Sequence, residues 1–241
     1  MMALLERVGL LATAVDVMFE GTDHGEIEDE PASPGDIHFA RSVPVATARA
    51  GDVLLAYKLN GADVTRWHGI PVRVVVPGWY GMASVKWLKR IVVTDKPFDG
   101  FFQSLQYSHW ERMNGTPTLI PVTELQVKSI VIDPEMGSII PAGKTYPVRG
   151  QAWTGAGTIV RVEVSVDGGR KWAAARLLSP ASQHTWRSWE FDWRPTAGEC
   201  SVMARATDSR GRTQPTDRDK DRRSYEINQV ASTTVVVRGR D

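Results

Sequence analysis

From Leu125 onward, apolar side chains recur at every second position in short runs broken by turn residues, and this pattern constrains the fold more than any other feature of the chain. Val160, Val162, Val164 and Val166 alternate with Arg161, Glu163 and Ser165 before the turn Asp167-Gly168-Gly169. Trp189, Phe191 and Trp193 alternate with Glu190, Asp192 and Arg194 in the same way. Period-two alternation is the mark of a strand with one face in a core and one in water. Further strands are expected at Ser129 to Ile132, Thr145 to Trp153, Cys200 to Asp208 and Thr233 to Val237. Repeated short strands with turns between them call for an antiparallel sandwich of the immunoglobulin type, here without a disulfide because Cys200 is the only cysteine. The same count excludes a zinc site of paired cysteines. Trp153, Trp172 and Trp186 are read mainly as structural aromatics, and Cys200 as a small hydrophobe within its strand.

The first half reads differently, which sets a boundary near residue 124. A chain of 241 residues suits two domains, here 1–124 and 125–241. Leu4, Val8, Leu11 and Val15 share one helical face, so a helix is expected over about residues 3 to 15. Arg7 and the apolar stretch after it could pass for an export signal, but Glu6 spoils the basic start and Asp16 closes the stretch early. A strand is expected at Asp16 to Glu20, then an exposed acidic loop carrying Glu26, Glu28, Asp29 and Glu30. Strands follow at about Asp52 to Leu59 and Val72 to Val76, with irregular chain to about Val122. Twenty-nine basic residues against 28 acids leave a formal charge of +1. No basic field points to nucleic acid, and no apolar run is long enough to span a bilayer. Motifs of metalloproteases, α/β-hydrolases and P-loop proteins are absent.

The chemistry gathers between Trp67 and Leu88. Val74 to Val76 form an apolar β-branched run punctuated by Pro71 and Pro77-Gly78, so a core strand carries His68, Arg73 and Lys86 at its ends. A planar fork, a point charge and a ring N–H beside glycine-rich backbone suit a phosphate-bearing ligand. On spacing alone, an ordinary strand with a solvated Arg and Lys remains the alternative.

The string His68-Gly-Ile-Pro-Val-Arg73-Val-Val-Val-Pro-Gly followed by Gly81-Met-Ala-Ser-Val-Lys86-Trp-Leu resembles the cofactor-binding heart of the sulfite oxidase family of molybdenum enzymes. Val17-Met-Phe-Glu-Gly-Thr-Asp23 and Asp52-Val-Leu-Leu-Ala-Tyr-Lys-Leu-Asn-Gly61 fit that family in the same order. In the second half, Val148-Arg-Gly-Gln-Ala-Trp-Thr-Gly155, Ile159 to Gly169 and Ala204-Arg-Ala-Thr-Asp208 resemble its immunoglobulin-like dimerisation domain. The resemblance implies a mainly β chain: the C-terminal part of an α+β molybdopterin-binding domain, then the sandwich, assembling as a homodimer.

It also implies roles. His68, Arg73 and Lys86 would contact the phosphate of molybdopterin, with Ser84 and Val85 supplying neighbouring loop atoms. Asp23 would pair with the pterin ring. Tyr107, following Gly100-Phe101-Phe102, would be the active-site tyrosine, although Gln106 and Ser108 depart from the family pattern and a purely structural tyrosine stays open. Arg222 or Arg223 would reach the pocket for sulfite, Arg223 being the choice. The rest of the block Arg218 to Arg223 reads as a self-neutralising solvated loop. The family's cysteine ligand to molybdenum has no counterpart here, since Cys200 belongs to the second domain and matches no ligand motif. The expectation is therefore a partial cofactor site: an oxygen-atom-transferring oxidoreductase when completed by a missing N-terminal half, or else a noncatalytic dimerising protein. Without an export signal the chain reads as cytoplasmic as written, and as periplasmic if its true start lies upstream.

Overall fold

The computed structural model describes residues 1–239 and divides the chain into two compact units. The first comprises Met1–Glu124 together with Asp221–Tyr225, and the second comprises Leu125–Lys220 and the chain from Glu226 onward. The segment Asp221–Tyr225 thus packs with the first half, although it lies deep in the second.

In the first unit a three-stranded antiparallel sheet places Asp16–Gly25 between Ile37–Pro44 and Leu88–Thr94. Leu54–Ala56 pairs with Arg73–Val75 to form a separate ribbon. Val17, Phe19, Val43, Val53, Val74, Val76, Ala83 and Val85 close one core with Leu5 and Ala48. Burial of this β-branched cluster is the main force holding the Arg73 strand in place, at roughly 25 cal/mol per Å² of apolar surface. The opening helix is shorter than its periodicity suggests, ending at Val8 where Gly9 turns to φ 74°. Leu5 is its buried residue, whereas Leu4, Val8, Leu11 and Val15 stay exposed. A glycine able to enter the left-handed region stops a helix that apolar spacing alone would continue. The expected strand from Asp52 to Leu59 is broken into Leu54–Ala56 and Lys58–Leu59. The stretch expected to be irregular carries three strands, Leu88–Thr94, Ser108–Met113 and Thr116–Pro121, the last two forming a hairpin.

The second unit is a sandwich of two sheets. One contains Lys128–Asp133, Tyr146–Trp153, Arg187–Trp193 and Arg176–Leu177; the other contains Ile139–Pro141, Ser232–Arg238, Gly198–Asp208, Ile159–Ser165 and Ala173–Ala174. Trp189 lies fully buried at its centre and donates its indole N–H to Ser129 Oγ at 2.9 Å. Val162 and Val164 are buried as the alternation demands, but Val160 is exposed. A register shift between Ile159 and Arg161 turns Ile159 inward in its place. Trp153 stacks on the exposed Trp186, Trp172 lies against the Arg205 guanidinium, and Cys200 packs partly buried beside the core.

Candidate functional site

Two groups of polar side chains in the first unit carry chemistry. The first is assembled by a bulge. Glu20 pairs with Arg90 but Gly21 with Leu88, so one residue of the outer strand is skipped. The shifted end of Asp16–Gly25 then meets Lys86 and Trp87, and Thr22 N–H donates to Trp87 C=O at 2.9 Å. Gly21 lets the two segments approach closely: a Cβ would overlap Asp23 Oδ1 and stand 3.0 Å from Lys86 C=O. Asp23 therefore lies beside the Lys86 loop, with its carboxylate exposed.

On the other side the short helix Arg66–His68 ends at Gly69, φ 102°. A Cβ on Gly69 would stand 2.9 Å from Lys86 Cβ and 3.1 Å from Trp87 N, so only glycine lets the two loops approach this closely. Arg73 stitches them together, donating from Nη1 to His68 C=O (3.3 Å) and from Nη2 to Ser84 C=O (3.0 Å). Lys86 Nζ donates to Trp67 C=O at 3.3 Å and lies 4.3 Å from the centre of the Trp87 ring. His68 Nδ1 is 2.7 Å from Thr65 Oγ1. Ser84 Oγ accepts from Val76 N–H, whereas the Val85 side chain is buried in the core and only its backbone can face a ligand. Burial lowers the Arg73 pKa. Asp23, His68, Arg73, Ser84, Val85 and Lys86 thus fall on adjoining loops and strand ends. Three cationic or N–H donors on a glycine-tightened cradle fit a phosphate-bearing anion. A thiolate is absent from this unit; Cys200 lies in the strand Gly198–Asp208 of the other.

The second group surrounds Tyr107. A π-turn over Phe102–Gln106 precedes it, a geometry frequent at functional sites. Gln103, buried in that turn, bonds Ser42 from both amide atoms. Arg41, fully buried, donates to Phe102 C=O at 2.5 Å and to Val122 C=O at 2.7 Å, and Val122 N–H in turn donates to Tyr107 C=O. Burial pushes the Arg41 pKa down to about 10. Asp221–Tyr225 completes the group. Arg223, with its backbone at φ 54°, donates from Nη1 to Leu105 C=O, Ser108 C=O and Ser108 Oγ at 3.0 to 3.3 Å. Arg222 Nη1 lies 2.6 Å from His109 Nε2 and 3.3 Å from Glu111 Oε1. The Tyr225 ring is 5.6 Å from the Tyr107 ring, centre to centre. Burial raises the Tyr225 pKa, with Tyr107 acting in the same direction and Arg223 and Arg41 opposing.

Tyr107 and Arg223, expected from the sequence, are therefore neighbours. Arg222, the alternative to Arg223 in the sequence, belongs to the group as well; Arg41, His109 and Tyr225 also belong to it, and sequence reading did not select them. For Arg41 a signal existed: Phe39, Arg41 and Val43 share one strand face, so an arginine stands where alternation asks for an apolar residue.

The chain matches the oxidoreductase molybdopterin binding domain over residues 1–102 and the Mo-co oxidoreductase dimerisation domain over residues 120–229. These two domains in this order define a molybdopterin-type oxidoreductase. Sulfite oxidase of Gallus gallus is 38% identical over 210 residues, covering 81% of this chain and 45% of that protein. Nitrate reductase [NADH] 1 of Arabidopsis thaliana is 31% identical over 247 residues, covering 88% of this chain and 26% of that protein. Among solved structures, the sulfane dehydrogenase SoxCD of Paracoccus pantotrophus superposes with a TM-score of 0.75 at 27% identity, over 95% of this chain and 57% of that one. The chain belongs to the sulfite oxidase family of molybdenum oxidoreductases. It spans less than half the length of these two curated relatives.

Proposed function

We propose that this chain grips the phosphate end of a molybdopterin cofactor through His68, Arg73 and Lys86, and presents Tyr107 and Arg223 to a small oxyanion, sulfite or a related oxidisable molecule. The observation that carries the reading is the Gly69 contact, which brings the His68 and Lys86 loops together with Arg73 bridging them. Arg73 offers a fork to phosphate oxygens, Lys86 a point charge, and His68 a ring N–H whose partner Thr65 restrains the imidazole. Asp23 can accept from the amino and ring N–H groups of a pterin. When bound, the cofactor supplies the redox chemistry of oxygen-atom transfer. Around it the protein orients the substrate: Tyr107 can donate or accept at its hydroxyl, and the Arg223 guanidinium can pair with an oxyanion. The thiolate ligand to the metal would come from outside these 241 residues.

The test is expression in a host that makes the cofactor, followed by fluorimetric measurement of bound pterin. Arg73→Met combined with Lys86→Met is expected to reduce retained pterin at least about tenfold, since each charge-assisted contact contributes about 1.5 to 3 kcal/mol. Pterin retention unaffected by the double substitution would refute the assignment. Absence of pterin from the unaltered chain, with dimerisation intact, would favour the noncatalytic reading.

A further inference from the structure

Arg41 is the one fully buried charged side chain of the first unit, and the cofactor reading gives it no task. Among the described residues no carboxylate contacts it. Its partners are two carbonyl oxygens and the face of Tyr107, whose ring centre lies 5.7 Å from its guanidinium carbon; its Nε has no partner. Carrying a cation into a protein interior costs several kcal/mol, and neutral partners offset only part of that. A hydrophobic residue would pack the same strand position without the cost. The expense falls at one place: the two carbonyls it holds belong to the turn before Tyr107 and to Val122, whose N–H holds the Tyr107 carbonyl.

We propose that Arg41 is a positioning residue for the tyrosine pocket, clamping the backbone on both sides of Tyr107 and holding an uncompensated positive charge beneath the Tyr107–Tyr225 pair. The clamp explains why the π-turn, with a strand residue reaching into it, delivers the phenol in one orientation. The charge does what a carboxylate-paired arginine could not: it biases the pocket toward negative charge, whether on a bound oxyanion or on a phenol. Arg223 is a second cation facing the pair, and it donates to the Leu105 and Ser108 carbonyls. The proposal rests on Tyr107 being the working phenol of the pocket. Its test needs neither metal nor pterin, so it can fail while the cofactor reading stands, and the reverse.

The chain is labelled with fluorotyrosine and followed by fluorine NMR, with Tyr107→Phe and Tyr225→Phe used to assign the two resonances. In Arg41→Met, the Tyr225 resonance is expected to titrate at higher pH than in the unaltered chain, and the Tyr107 resonance to move toward its free amino-acid position. Tyr146, in the other unit, is the internal control and should not change. Arg41→Lys keeps the charge but not the two-carbonyl fork; it should restore the Tyr225 titration while leaving Tyr107 displaced. A merely structural arginine predicts equal effects of both substitutions on Tyr225. That result, or unchanged resonances in either folded variant, would overturn the proposal. Should neither variant fold, the unaltered chain decides: a Tyr107 resonance that is motionally averaged like the free amino acid contradicts a clamp, and a restrained one supports it.

Discussion

Single side chains in this protein act mostly by holding backbone, and Asp208 shows how much one can hold. Its Oδ1 accepts from the N–H groups of Arg210 and Arg212, and its Oδ2 accepts from Arg212 Nε at 2.8 Å and Thr154 Oγ1 at 3.1 Å. Burial acts to raise its pKa, but the Arg212 and Thr154 contacts outweigh burial and the net shift is downward. A depressed folded-state pKa means that the contribution to stability is complete above the unfolded value and is lost as pH falls through the folded one. Asp208→Asn should cost about 3 kcal/mol at neutral pH by leaving Arg212 with a weaker partner. Denaturant titrations should show that difference shrinking only below about pH 4. An undiminished gap in acid would mean the carboxylate charge is not what matters. The contrast with Arg41 is instructive, since one buried charge is fully answered by its neighbours and the other is not.

Elements were legible where one face meets a core and the other meets water, and obscure where local backbone chemistry intervened. The alternation in Arg187–Trp193 and Gly198–Asp208 could be read directly, because period two maps onto one sandwich face. The bulges at Gly21 and Ile159 could not, because a one-residue slip leaves no trace in hydropathy. The cradle residues between His68 and Lys86 were accessible from donor chemistry and family resemblance. The tyrosine pocket was only half accessible, since Arg41 and Tyr225 reach Tyr107 from strands and loops far away in the chain. Gly150 is a test at this scale. It pairs with Val131 and Trp189, and a Cβ there would collide with the Ile130 carbonyl and the Trp189 ring. Gly150→Ala should destabilise the sandwich by about 3 kcal/mol, lowering its thermal midpoint by about 10 °C or more. Because the Trp189 and Trp193 indoles are buried, tryptophan emission should report the transition. A midpoint within a degree or two of the unaltered chain would show that the sheets can separate to admit a methyl.

For the whole molecule, the match of residues 120–229 to a dimerisation domain predicts self-association. Sedimentation velocity should give a dimer in the micromolar range, and a monomer throughout that range would contradict the expectation. Among the described residues no helix is long and apolar enough to cross a membrane, and the near-neutral charge leaves no field to oppose two copies meeting.

The assignment of Asp221–Tyr225 to the first unit bears on the order in which the protein can be made. A ribosome that has released everything through Glu124 has not yet supplied Arg222, Arg223 or Tyr225. The tyrosine pocket can close only after nearly all of the sandwich sequence has been translated. A nascent chain arrested at residue 124 would carry the cradle at Arg73 and Lys86 but not the finished pocket, so under the proposed function competence to hold a phosphate would precede competence to present a substrate.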